Sequence, residues 1–230
     1  MKKALSIAFF ALVLAAGCSR PAPNVAPLRV EGTQLTAGGQ PVAFRGISFG
    51  WHNIWPRFYN KQAVAQLHED TGCRIFRAAV GADSHAMADN PGIHDGYMGE
   101  PEWALERLYA VVDGAIENGC YVIVDWHSHV LHPDAAKEFF TAVATKYKGV
   151  PNVIYELFNE PVCFSFEDGR ANPFEDFGSE EAMMAYWQEL KGYAGELIKV
   201  ITDIDDSHPL ILMGSPSWDQ REIGRASCRE

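Results

Sequence analysis

Short, continuously apolar runs alternate along this chain with longer stretches in which apolar residues recur every three or four positions. The runs Val42 to Phe49, Cys73 to Val80, Tyr121 to Trp126, Asn152 to Phe158 and Leu210 to Gly214 predict strands buried on both faces, as in a parallel sheet. Between them, Asn60 to Thr71 carries helical spacing in Val64, Leu67 and His68, and Trp103 to Asn118 in Leu105, Leu108, Val112 and Ile116. Gly72 and Gly119 end these two helices, and Pro133 to Lys148 and Glu180 to Thr202 predict two more. Ahead of the first run, Leu28 to Val30 and Gln34 to Thr36 predict a small hairpin, with Ala37-Gly-Gly-Gln40 as a second turn. Two segments interrupt the alternation: a loop rich in Asp, Gly and His before Pro101, and a polar, aromatic insertion from Cys163 to Ser179.

Strands alternating with helices of this length imply repeated βα units, in an open doubly wound sheet or a closed barrel. No strand is followed by GxGxxG or GxxxxGK[ST], the phosphate fingerprints of the open nucleotide-binding sheets. The expected fold is therefore α/β, a TIM (β/α)8 barrel, with about the first five βα units in this chain. The strand ends agree: Arg77 in the second, Asp125-Trp126-His127 at the third, Asn159-Glu160 at the fourth, and Ser217-Trp218 after the fifth. A barrel presents its catalytic groups at the carboxyl ends of its strands. Glu160 stands out, because the apolar run from Val153 delivers it to the point where Pro161 stops the strand. The plainer alternative is a turn, which Asn and Pro both favour.

The N-terminus adds a destination. Lys2 and Lys3 precede an apolar run from Ala4 to Ala16, short for a bilayer span but suited to a signal-peptide core. Leu14-Ala-Ala-Gly-Cys18 resembles a bacterial lipobox, which would make Cys18 a lipidated mature N-terminus; the same small residues also fit ordinary signal cleavage. Either way the expectation is export, to the outer membrane or cell surface as a lipoprotein, or to the periplasm or medium. Ser19 to Pro27, rich in Pro and Ala, reads as a tether. The expected boundaries are residues 1–17 for the signal, 18–27 for the lipidation site and tether, 28–221 for the barrel and 222–230 for a foreign tail.

A net charge of −11 argues against nucleic acid and anionic membrane surfaces as partners, leaving a lipid at Cys18 as the only membrane contact, and suits a neutral ligand. Six Trp hint at sugar stacking, although most Trp are structural. Cys73 and Cys120 open two strand-like runs and Cys163 follows the Asn-Glu-Pro turn, a spacing that matches no zinc pattern. They read as buried thiols, or as a Cys73 to Cys120 disulfide if adjacent strand starts bring the two close. No cofactor is implied, and the protein is expected to be a monomer.

Five motifs together resemble the first five strands of glycoside hydrolase family 5, the endoglucanase-type cellulases. They are Phe44-Arg-Gly-Ile-Ser48, Ile75-Phe-Arg-Ala-Ala79, Val122-Ile-Val-Asp-Trp-His127, Tyr155-Glu-Leu-Phe-Asn-Glu-Pro161 and Ile211-Leu-Met-Gly-Ser-Pro-Ser-Trp218. The resemblance runs from about Leu28 to Gln220. It implies Glu160 as general acid/base, Asn159 as the partner of the sugar 2-hydroxyl, and Arg77 and His127 as lining of the subsite at the cleaved bond. It also implies Trp218 as a glucosyl-stacking residue. Trp51 and Trp55, after the first strand, either contribute to binding or pack locally.

A glycosidic oxygen leaves only when protonated, so an acid is needed. In retaining enzymes a second carboxylate about 5 Å away attacks the anomeric carbon, and the first then acts as base on water. Arg77 favours ionised carboxylates and is expected nearer that nucleophile than Glu160. Glu156 lies an even number of residues from Glu160, on the same barrel-facing side, and reads as a buried, hydrogen-bonded carboxylate. His127, His129 and His132 form the one tempting metal cluster, but no acidic or Cys ligand sits at a helpful spacing, and no metal site is expected.

The family's nucleophile, a Glu at the seventh strand end, has no counterpart here, and Glu222 to Glu230 resembles a translated sequencing adapter. The expectation is a C-terminally truncated barrel that folds poorly and shows no retaining turnover as written, because an open barrel leaves strand edges unpaired. For the complete protein the expected function is an exported endo-β-1,4-glucanase acting on cellulose or mixed-linkage glucan. The alternatives are a β-mannanase of the same fold and a non-catalytic glycan-binding surface protein.

Overall fold

The computed structural model describes residues 25–83, 92–161, 179–216 and 218–219. The leader and Cys18, most of the insertion with Cys163, Ser217 and the tail from Glu222 lie outside the described residues.

A small antiparallel sheet comes first: β1 (Leu28–Glu31), β2 (Gln34–Ala37) and β3 (Gln40–Pro41), in the order β1-β2-β3. Gly38 and Gly39 make the second turn with φ of 58° and 74°, a region that other residues rarely adopt. The main sheet follows as β4 (Gly46–Ser48), β5 (Ile75–Gly81), β6 (Tyr121–His127), β7 (Val153–Glu156) and β8 (Ile211–Leu212), all parallel and in sequence order. Among the described residues four α-helices connect the strands: α1 (Lys61–Thr71), α2 (Pro101–Glu117), α3 (Pro133–Lys146) and α4 (Glu180–Ile204). Pairing each strand with the next through a helical crossover is how a (β/α)8 barrel is wound.

The helix boundaries follow from their sequences. Asn60 caps α1 by accepting from the Ala63 N–H at 2.8 Å, Ser179 caps α4 by accepting from Ala182, and Pro opens α2 and α3. Gly72 ends α1 in the left-handed region, while after α2 Asn118 is the cap and Gly119 the left-handed residue beyond it.

Strand alternation divides the core in two. Phe76, Ala78 and Val80 of β5, Val122, Val124 and Trp126 of β6, and Val153 and Tyr155 of β7 face the helices in one large cluster. Ile75, Tyr121, Ile123, Ile154 and Leu212 face the other way, where Leu28 and Leu35 of the hairpin close the floor of the sheet. Burying each such side chain contributes about 1.5–3 kcal/mol.

The structure corrects several expectations. Regular pairing in the first barrel strand covers only Gly46–Ser48; Val42 and Phe44 instead pack into the floor cluster. The fourth strand is regular only over Val153–Glu156, the four residues that pair with β6, two of which also pair with β8. Trp126, grouped at the strand end in the sequence, is fully buried on the helix side between Tyr97 and Phe139. The end of the expected tether belongs to the domain: the Tyr121 hydroxyl donates to the Ala26 carbonyl at 2.6 Å and Val25 packs on the floor cluster. Cys73 and Cys120, by contrast, are the buried thiols that their positions suggest, free and not joined in a disulfide.

Candidate active site

In the parallel register Ala79, Asp125 and Glu156 stand abreast, so their side chains share the inner face above the floor cluster. Arg77 projects to that face from β5 and commits its guanidinium there. Its Nε and Nη2 donate to the two carboxylate oxygens of Glu156 at 2.7 and 2.9 Å, and Nη2 also reaches Asn159 Oδ1 and Asp125 Oδ2, both at 2.8 Å. A planar, permanently charged fork is what such a shared contact needs.

One cation thus stands among two carboxylates. Burial pushes the completely enclosed Asp125 up to about 7 against the pull of Arg77, and raises Glu156 as well. Asp125 Oδ2 also accepts from His127 Nδ1 at 2.7 Å, which leaves His127 Nε2 as an acceptor. Burial and the Arg77 charge lower His127 to about 4, so its ring is neutral near pH 7.

The same network orients Asn159. Its Oδ1 is taken by Arg77, and its Nδ2 is buried with no partner among the described residues. A buried amide donor of this kind calls for an acceptor. Glu160, the next residue, has a side chain that is 47% exposed, with Oε2 3.5 Å from His129 Nε2. Burial and His127 lower His129.

Trp51 forms one wall. Its ring meets the His127 ring edge-on at 4.7 Å and lies 6.0 Å from that of His129. The loop that carries it is pinned to β5: His52 N–H donates to Ala79, the Tyr59 hydroxyl is 2.8 Å from the Gly50 carbonyl and 2.9 Å from that of Ala79, and His52 Nδ1 accepts from the Gly81 N–H. Gly81 makes room there, since a Cβ would sit 2.8 Å from Asn53 Oδ1 and 3.3 Å from Trp51 Cε3, so that one or both side chains would have to shift. Trp55 is more exposed; it lies against Gly50, with the Arg57 guanidinium 5.2 Å from its ring. Trp218 is brought to the end of β7, where its N–H donates to the Pro161 carbonyl at 3.3 Å. Trp218 and Asp219 both hold positive φ, and Asp219 Oδ1 accepts from Ser215 at 2.7 Å.

Arg77, His127, Asn159, Glu160 and Trp51 are therefore brought together, with the Trp218 backbone beside them and Trp55 on the outer side of its loop. Asp125 stands within one of the family motifs but with no role implied there, and nothing in the local sequence marks Asp83 or Asp219. The signal for His129 was available, since Asp125, His127 and His129 alternate. The three histidines go to three different carboxylates: His127 to Asp125, His129 to Glu160, and His132 to Asp83 at 2.6 Å. Among the described residues no group of three or more His, Cys, Asp or Glu is arranged to hold a metal ion. An accessible carboxyl beside a neutral imidazole and an unpaired amide donor can pass a proton to a polar ligand and take one back.

Comparison with known proteins gives this arrangement a family. The family model described as cellulase (glycosyl hydrolase family 5) matches residues 35–227. Endoglucanase Z of Dickeya dadantii is 34% identical over 221 residues, covering 94% of this chain and 45% of that protein. Cellulase CelDZ1 of a Thermoanaerobacterium is 30% identical over 191 residues, covering 80% of this chain and 43% of its own length. The crystal structure of the catalytic domain of Thermobifida fusca endoglucanase Cel5A superposes with a TM-score of 0.65 at 28% identity, over 85% of this chain and 56% of that one. The chain thus spans less than half the length of these curated relatives. Its five parallel strands and their helices are part of a (β/α)8 barrel, and the chain belongs to glycosyl hydrolase family 5, the cellulase family.

Proposed function

We propose that the protein is an exported endo-β-1,4-glucanase that hydrolyses internal bonds of a β-glucan with retention of configuration, with Glu160 as its general acid/base. Glu160 carries this assignment: it is an accessible carboxyl at the end of β7, with the unpaired Asn159 amide beside it and His129 against it. Relatives named endoglucanase and cellulase support a glucan as substrate.

In the first half-reaction Glu160 donates its proton to the glycosidic oxygen as the bond to the anomeric carbon breaks, and a second carboxylate forms a bond to that carbon. In the second, Glu160 takes a proton from water while the water oxygen displaces the carboxylate. The second carboxylate comes from strands of the family barrel beyond β8. Asn159 Nδ2 donates to the hydroxyl next to the reacting carbon, His127 Nε2 accepts from another, and Trp51, with Trp218, offers an apolar face to a glucosyl ring. Arg77 acts on the substrate through Asn159 and holds Glu156 and Asp125 ionisable without water. The apolar run before Cys18 supports export, and intact-mass analysis of the mature N-terminus tests whether Cys18 carries lipid.

The test uses this chain continued through a whole barrel. Glu160→Gln is expected to lower turnover of cellotetraose by about 10²-fold or more, the usual worth of an acid catalyst, and to affect dinitrophenyl cellobioside far less in its acid-dependent step. Equal losses on the two substrates would remove Glu160 from the acid role. Faster cleavage of mannotetraose than of cellotetraose would move the substrate to mannan.

A further inference from the structure

We infer that His129, held by a clamp centred on Asp83, is the positioning residue that decides which oxygen of Glu160 carries the transferable proton; the inference rests on Glu160 being the acid/base.

The strand β6 ends at His127, yet the following turn is tightly built. The Ser128 hydroxyl accepts from the Val130 N–H at 3.1 Å and shares its single proton between the Val130 carbonyl at 2.7 Å and Asp83 Oδ2 at 3.3 Å. Asp83, just past the end of β5, grips this turn at both ends. Its Oδ1 is 2.6 Å from His132 Nε2, and its Oδ2 is 3.3 Å from the Ser128 hydroxyl. The Ala82 N–H donates to the His127 carbonyl at 3.1 Å and keeps the two strand ends in register, while His132 leads directly into α3. His129 lies between the two anchored ends. Its ring meets the Trp51 and His127 rings, each at 6.0 Å, which leaves Nε2 turned to Glu160 Oε2 at 3.5 Å.

The charged and titratable groups around this pair are Arg77 and Asp83 from β5 and its end, Asp125 and the neutral His127 from β6, Glu156 from β7, and Asp219 after β8. Burial and the neighbouring His127 keep the His129 ring neutral near pH 7. Facing a carboxylate, a neutral imidazole places its proton on the near nitrogen, so His129 Nε2 donates to Oε2. Oε1 is left to hold the proton that goes to the glycosidic oxygen, and later to take one from water. Removing His129 frees both oxygens to compete for that proton.

The test measures kcat, KM and pH profiles in the complete barrel on cellotetraose and dinitrophenyl cellobioside. His129→Ala is expected to lower kcat on cellotetraose about tenfold, a fraction of the 10²–10⁴ that acid–base catalysis supplies, with KM within about twofold, a shifted alkaline limb and a much smaller loss on the aryl substrate. His129→Gln, which keeps an N–H donor at similar reach, should regain most of the loss, and Asp83→Asn should show the same pattern more weakly. If His129→Ala does not fold, His129→Phe keeps the ring volume and is judged by the same criteria. An unchanged limb and kcat, or equal losses on both substrates that Gln does not restore, overturns the inference. Glu160→Gln in the same series separates the two levels. If it discriminates between the substrates and His129→Ala does not, only the His129 role fails; if Glu160→Gln does not discriminate, the acid assignment fails with it.

Discussion

Arg77 organises the site at the scale of single residues. It is 23% exposed in its side chain and holds together Glu156, Asp125 and Asn159, the first two of which repel each other without it. Replacing it with Met would leave two enclosed carboxylates uncompensated, which costs about 3–5 kcal/mol when a buried pair is broken. Urea unfolding of Arg77→Met in the complete barrel checks this, and a change within about 0.5 kcal/mol, as for an ordinary surface substitution, would contradict it. Arg77 was readable as a strand-end cation in Ile75-Phe-Arg-Ala-Ala79, but its partners were not. Nothing in local spacing says that β7 brings Glu156 abreast of Asp125, because that depends on inter-strand register.

At the scale of elements, the strands were legible where they are central and least so at the sheet's edges. β5 and β6 match their apolar runs within a residue or two, since they pair with each other along all seven residues and each has a second neighbour along part of its length. β4 and β8 are shorter than their runs, because each has one neighbour and the apolar residues beside them pack without pairing. The Trp51 loop was the least legible part. Its place is set by the bare Cα of Gly81 and by Tyr59, fully buried beneath it. Gly81→Ala is expected to push Trp51 off the His127 ring and to destabilise by about 1–3 kcal/mol, the usual range for overpacking. Tryptophan fluorescence together with cello-oligosaccharide affinity measures it, and wild-type values for both would mean that the loop yields elsewhere.

For the whole molecule, buried histidines couple stability to pH. His52 is completely enclosed between the Tyr59 and Trp103 rings, and burial lowers it from its ordinary 6.5 to about 3. Below 6.5 the unfolded chain takes up this proton and the folded one does not. The stability His52 contributes is therefore complete above pH 6.5 and is lost as pH falls toward 3, at about 1.4 kcal/mol per unit. His52→Gln keeps an acceptor for the Gly81 N–H but cannot titrate. Urea midpoints of wild type and His52→Gln should converge as pH falls below 6.5, and parallel curves would show that His52 is hydrated.

The sheet also has two edges, β4 and β8, among the described residues.

The sequence by itself determined the alternation of strands and helices, the family motifs, and the strand ends that carry Arg77, His127, Asn159 and Glu160. These are local properties: apolar period, turn chemistry, and the residue at which a strand stops. Tertiary structure alone decided that Asp125 and Glu156 share one guanidinium, that Asn159 Nδ2 has no partner among the described residues, and that the three histidines part company toward three carboxylates. Apart from His127 with Asp125, two residues apart on β6, such pairings join residues far apart in the chain, and only the register of neighbouring strands and the loops at their ends bring them together.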